Sequence, residues 1–325
     1  VGAGGGKVAT GAGGKATTGA GGKAATAGKG GTKGSAGAGG KATDAGTKDV
    51  ACNPADKTAA PTVVTSWSDT DTPPTGPYKV VIESDPGIPT HTIYRPEVTD
   101  KKMPIIAWGE GGCINAGMIM VQFLYDVASH GFLIVADGVP APDAIAPSAA
   151  SGEAQTKAMD WAIAENERPC SQYYHKLDTT KISVSGQSCG GLMTYYAAAD
   201  PRVTTAVIWN SGLFARDQAV YDALHAPMAY FIGGSSDVAY ANAEADWAAI
   251  SPTAKFPIFY GNNNYGHGGT YNADNGGELA QVGVAWWRWY LMGDEGPTGK
   301  QMFWGKNCGM CSKSGWTVER VNMDQ

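Results

Sequence analysis

The chain predicts an α/β architecture: a mostly parallel sheet with helices on both faces, led by an antiparallel hairpin. Three observations carry this reading. Short, continuously apolar runs such as "MPIIAWG" (103–109) and "GFLIVADG" (131–138) are the pattern of strands buried on both sides. Stretches with helical periodicity separate those runs, which is the alternation that builds a parallel sheet. One early stretch alternates apolar with polar residues instead, as a strand with one wet face does.

That early stretch is "YKVVIES" (78–84), which ends at Asp85-Pro86-Gly87; with "THTIYRP" (90–96) it forms the hairpin. The strand 103–109 follows, then a helix over 118–130 and the strand 131–138. A helix over 151–167 is expected next, with Ser151 as its cap, Glu153 in its first turn and apolar residues at 158, 159, 162 and 163. "KISVSG" (181–186) is a strand, "CGGLMTYYAAA" (189–199) a helix, and 204–210 and 227–234 are strands. A helix over 240–250, a strand over 256–262 and a helix over 277–293 complete the order. In the last helix Leu279, Val282, Trp286, Trp289 and Tyr290 fall on one face.

Residues 1–61 are of another kind: Gly, Ala, Lys and Thr in a ragged repeat ("GAGGGKVAT", "GAGGKATT", "GAGGKAAT"), with no aromatic before Trp67. Such a segment buries too little to offset the entropy of ordering, so it reads as a disordered linker ahead of a single domain over 62–325. Residues 1–50 carry seven Lys and two Asp, so of the net charge of −6 the remainder holds −11. An acidic body argues against nucleic acid as its partner. No apolar run is long enough to span a membrane. The linker's composition resembles the surface-distance segments of secreted or envelope-anchored bacterial proteins, which implies a secreted or surface-tethered location.

The function turns on "VSGQSCGG" (184–191). A nucleophile elbow needs a strand, a sharp turn with small flanking residues and a helix immediately after, and Ser188 between Gly186 and Gly190 has all three. The bland alternative is a serine in a tight turn. A serine needs a base and an acid to orient that base, in the chain order Ser, acid, His. Of the two downstream histidines, His225 precedes a strand, whereas His267 follows one in "GNNNYGHGGTY". Asp237, just past the strand 227–234, is the expected acid; capping a helix is its competing role, and Asp222 and Asp246 are its poorer-placed rivals.

For the oxyanion, the backbone N–H of Cys189 and one from "WGEGGCINAG" are expected, with Gly111 ahead of Glu110. A carboxylate at 110 would oppose a developing oxyanion, so its side chain should point away or be hydrogen-bonded. The six cysteines allow 15 pairings. Cys113 and Cys189 lie on the two oxyanion loops, either bridged or free and buried; if bridged, Cys52 and Cys170 remain. Cys308-Gly-Met-Cys311 reads as a local disulfide, a redox motif and half a zinc site being the other options. No metal or cofactor is called for.

"GQSCGG", "GGSSDVAY" and "GHGGTY" together make the chain resemble the α/β-hydrolase superfamily over roughly residues 75–295. More narrowly it is similar to the branch with dienelactone hydrolases, chlorophyllase-like enzymes and bacterial cutinase-like polyesterases, poly(ethylene terephthalate) hydrolases included. The resemblance implies a serine carboxylic-ester hydrolase acting on small-molecule or polymeric esters, as a monomer with an open cleft. It implies a substrate-stacking role for Trp209, with a core tryptophan at a strand end as the equal alternative. Cys189 and the glycines of "GEGGC" depart from polyesterases, which carry Met or another residue after the nucleophile and an aromatic in the oxyanion loop. An amidase or peptidase with the same residues, or a binding module on a hydrolase scaffold, are the alternatives.

Overall fold

Alternate residues of each apolar run face opposite ways, and both faces find helices to cover them. The computed structural model describes residues 51–53, 59–67, 73–142 and 149–324; residues 1–50 of the expected linker lie outside these. Among the described residues ten strands form one sheet: β1 (Thr62–Val63), β2 (Val80–Ser84), β3 (His91–Pro96), β4 (Met103–Gly109), β5 (Leu133–Asp137), β6 (Leu177–Gln187), β7 (Thr205–Trp209), β8 (Met228–Ile232), β9 (Ile258–Asn262) and β10 (Thr317–Val321). Their spatial order is β1-β2-β3-β5-β4-β6-β7-β8-β9-β10. From β5 to β9 every pairing is parallel, and the β2–β3 hairpin joins β5 antiparallel.

The helices are α1 (Val121–Ser129), α2 (Glu153–Glu167), α3 (Cys189–Ala197), α4 (Gln218–Ala223), α5 (Tyr240–Ile250) and α6 (Gly277–Met292). Ile106, Trp108, Ile134, Val207, Trp209, Phe231 and Phe259 point to the face covered by α1 and α6. Their neighbours Ile105, Ala107, Val135, Ile208, Tyr230 and Tyr260 point to the face covered by α2, α3 and α5. On β6 the first of these faces carries Ser183 and Ser185, whose hydroxyls accept the indole N–H groups of Trp287 and Trp209, each at 2.9 Å. Polar positions on β6 thus satisfy the indoles of these two core tryptophans.

Three expectations change. The cap of α2 is Gly152 at φ 74, with no side-chain hydrogen bond, so Ser151 does not cap it. α4 is an additional helix, started by Asp217, whose carboxylate accepts from the N–H groups of Ala219 and Val220. The C-terminal tail supplies β10, antiparallel to β9, giving the sheet a second antiparallel edge. All six cysteines are paired, as Cys52–Cys170, Cys113–Cys189 and Cys308–Cys311. Among the described residues, no helix is long and apolar enough to cross a membrane.

Candidate active site

At the carboxyl end of β6 the chain must turn sharply into α3, and the residue at the turn is Ser188, with φ 52 and ψ −114. That conformation is strained for a residue with a side chain and persists because its surroundings fix it. The Ser188 N–H donates to the Trp209 carbonyl at 2.9 Å, and the Ser211 hydroxyl donates to the Ser188 carbonyl at 2.6 Å. Glycine is obligatory beside the turn: a Cβ at Gly190 would sit 1.8 Å from the Gly109 carbonyl oxygen. The elbow glycines let β4 and the start of α3 touch backbone to backbone.

Ser188, His267 and Asp237 come together from three separate loops. His267 Nε2 lies 2.9 Å from Ser188 Oγ, and His267 Nδ1 lies 2.6 Å from Asp237 Oδ1. Asp237 follows β8 and is buried. Its Oδ1 also accepts the Ala239 N–H at 2.9 Å, while Oδ2 accepts Asn210 Nδ2–H at 2.7 Å and the Gly233 N–H at 3.1 Å. Burial pushes the pKa of this carboxyl up, but the hydrogen bonds from His267, Ala239, Asn210 and Gly233 outweigh it, so the pKa lies below the ordinary value. An ionised Asp237 holds Nδ1 as the donor and leaves Nε2 to accept from the serine hydroxyl.

The rejected candidates have other surroundings. Asp246 is buried, takes hydrogen bonds from Tyr195, Tyr221 and the Leu213 N–H, and serves the core. His225 lines a different hollow, with Tyr221, Ile250 and Phe256. Asp222 pairs with Gln218.

Beside Ser188 is a cleft of about 250 Å³ lined by Gly112, Cys113, Cys189, Leu192, Asn210, Phe214, Val238 and His267, among others. Cys189 opens α3, so its N–H is among those with no intrahelical acceptor. The Cys113–Cys189 disulfide ties this helix end to the turn Gly111–Cys113. Gly112 and Cys113, rather than Glu110 and Gly111, reach the cleft. Glu110 turns into the core, where it is fully buried and neither oxygen has a partner in hydrogen-bonding geometry. Burial raises its pKa to about 8; the nearby Trp108 indole and the N–H groups of Met120 and Gly111 pull it back only in part, and Asp137 pushes it further up. The group is therefore mostly protonated at pH 7 and sets little negative charge beside the turn.

Trp209 does not line the cleft. It is 0% exposed, donates its indole N–H to Ser185 and packs on Phe231, Phe123 and Trp287. The aromatic that reaches the cleft is Phe214, five positions on and 83% exposed, facing Val238 at 79%. A large aromatic in a loop just past a strand end was the sequence signal for it.

Over residues 49–304 the chain matches the protein-family model described as PET hydrolase-like. No curated protein matches it.

Proposed function

Because the chain belongs to the PET hydrolase-like family, a family of polyester and carboxylic-ester hydrolases, we propose that it is a serine esterase working through an acyl-enzyme. Ser188 attacks the ester carbonyl while His267 Nε2 takes the hydroxyl proton. The bond to the leaving alcohol breaks as the same nitrogen returns that proton to it. Water then repeats the sequence and frees the acid, with Asp237 stabilising the imidazolium throughout. The oxyanion is held by the Cys189 N–H and an N–H of the Gly111–Cys113 turn, where Gly112 and Cys113 are the residues that line the cleft.

The observation that carries this reading is the unbroken hydrogen-bonded chain from Asp237 through His267 to Ser188, beside an open cleft. The exposed Phe214 and Val238 favour an ester flanked by apolar groups, and a shallow cleft admits one segment of a longer chain. Three disulfides are compatible with an extracellular protein, and we place the enzyme outside the cell. The test is fluorophosphonate labelling of the wild type and Ser188→Ala, with hydrolysis of p-nitrophenyl acetate, butyrate and decanoate and of a polyester film. Labelling and turnover should both vanish in the variant. Failure of the folded wild type to label would overturn the proposal.

A further inference from the structure

His267 is flanked by Gly266 at φ 68 and by Gly268, with Gly269 at φ 52 beyond. A loop of this composition does not fix its own torsions, yet the imidazole must be held to a fraction of an ångström between Ser188 and Asp237. The restraint comes from outside the loop. The carbonyls of Gly266 and His267 are consecutive, and each accepts a side-chain amide from a different strand end. Asn210 Nδ2 donates to the Gly266 carbonyl at 3.0 Å, and Gln187 Nε2 donates to the His267 carbonyl at 3.0 Å.

We propose that Gln187 and Asn210 are a pair of positioning residues that clamp the histidine loop over the serine; this rests on the serine-esterase reading above. Both amides are buried and both are directional. The Tyr271 hydroxyl, itself buried, donates to Asn210 Oδ1, so the NH2 of Asn210 must face the other way. There its two hydrogens are shared between Asp237 Oδ2 and the Gly266 carbonyl. One amide thus sets the acid and the base's loop against the same reference point. Gln187 is the residue before the nucleophile. Its Oε1 lies against Gly111, where an added Cβ would be 2.2 Å away. It therefore spans from the oxyanion turn to the histidine loop, and its amide cannot be reversed without setting carbonyl against carbonyl. Neither residue touches the reacting atoms.

The experiment compares wild type with Gln187→Met, which keeps the volume and removes the donor, and with Asn210→Gly, which suits the φ of 43 at that position. It reads kcat and KM on p-nitrophenyl butyrate, the rate of fluorophosphonate labelling, and Tm. A clamp predicts that kcat and the labelling rate fall about 10- to 100-fold in each variant, with KM within about two-fold and Tm nearly unchanged in Gln187→Met. The double variant should lose much less than the product of the two single losses, because both amides hold one loop. The clamp is overturned if Gln187→Met keeps kcat within two-fold of wild type, or if its loss only follows a fall in Tm. Gln187→Met alone decides the matter should Asn210→Gly not fold. Ser188→Ala, run alongside, separates the two proposals. Full turnover in that variant removes the serine mechanism and the clamp with it. An inactive Ser188→Ala beside a fully active Gln187→Met removes only the clamp.

Discussion

A carboxyl group with no counter-charge and no hydrogen bond, as Glu110 is, leaves its mark on stability before it leaves one on rate. Its pKa in the fold is about 8, against an ordinary value of 4.5. Below pH 4.5 the folded and unfolded chains both carry the proton, and nothing is lost. As pH rises from there towards 8, the unfolded chain ionises and the folded chain does not, so stability falls. At about 1.4 kcal/mol per pKa unit the loss is on the order of 4–5 kcal/mol by pH 8. Glu110→Gln has no such proton. Its stability relative to wild type should therefore climb steadily between pH 5 and pH 8, whatever constant offset the amide brings. Urea midpoints at several pH values measure this directly; a flat difference would mean that the carboxyl is charged in the fold. Two aromatics are separated at the same scale. Trp209→Ala should destabilise by about 3–5 kcal/mol, as emptied aromatic core sites do. Phe214→Ala should leave Tm almost unchanged and raise KM a few-fold for aromatic esters, with kcat held.

Among the elements, the elbow and the oxyanion turn are joined covalently as well as by packing. Cys113 has φ 52 and follows Gly112 at φ 72, so the turn adopts a conformation that side chains resist. The bond to Cys189 holds it there against the first turn of α3. Replacing both cysteines by alanine should lower kcat about ten-fold or more by loosening the oxyanion donors, and should lower Tm through the larger unfolded-state entropy. Replacing Cys308 and Cys311, which do not line the cleft, should leave kcat much closer to wild type, and assays of the two double variants side by side give the comparison. How legible these elements are in the sequence follows from how local their causes are. β4, β5 and β7–β9 are continuous apolar runs, and the elbow is spelled by glycines that the turn itself demands. α4 has only Tyr221 buried along its six residues, too little for a periodic signal. The fate of Trp209 depends on Ser185 of the adjacent strand. The amides on the histidine loop come from positions 187 and 210, and no local pattern in "GNNNYGHGGTY" points to either. Residues that act through their own segment can be read from it, and residues that act across the sheet cannot.

At the scale of the whole molecule, the sheet runs beyond the stretch that matches the family. That match ends at residue 304, while β10 begins at Thr317 and pairs along β9 from Thr317 opposite Asn262 to Val321 opposite Ile258. β9 is the strand that leads into the histidine loop, so the tail supports the site from the outer edge. Trp316 packs edge-on against Phe231, and its indole donates to Glu278 at 3.0 Å. Glu278 also pairs with Lys313 at 2.6 Å and accepts from the Tyr265 hydroxyl, two residues before His267. Arg320 donates to the Gly305 carbonyl at 2.6 Å, and Asn322 reaches the carbonyls of Ala254 and Phe256, each at 3.0 Å. A chain ending at residue 304 would leave the N–H and C=O groups on one side of β9 unpaired, expose an edge open to strand addition, and strip Trp316 from the ring of Tyr265. It should melt at least about 10 °C lower, given roughly 2–4 °C per kcal/mol for a domain of this size. Below that melting point it should still lose more in kcat than in KM, because the loop that carries the base has lost its outer support. Arg320→Ala with Asn322→Ala is the milder form of the same cut, keeping the strand while removing its anchors. It should fall between the truncated and intact chains in both Tm and kcat. If the truncated chain kept the wild-type kcat at a temperature where both are folded, the tail would be bracing the sheet alone, and the histidine loop would owe its position entirely to the groups inside it and on the neighbouring strand ends.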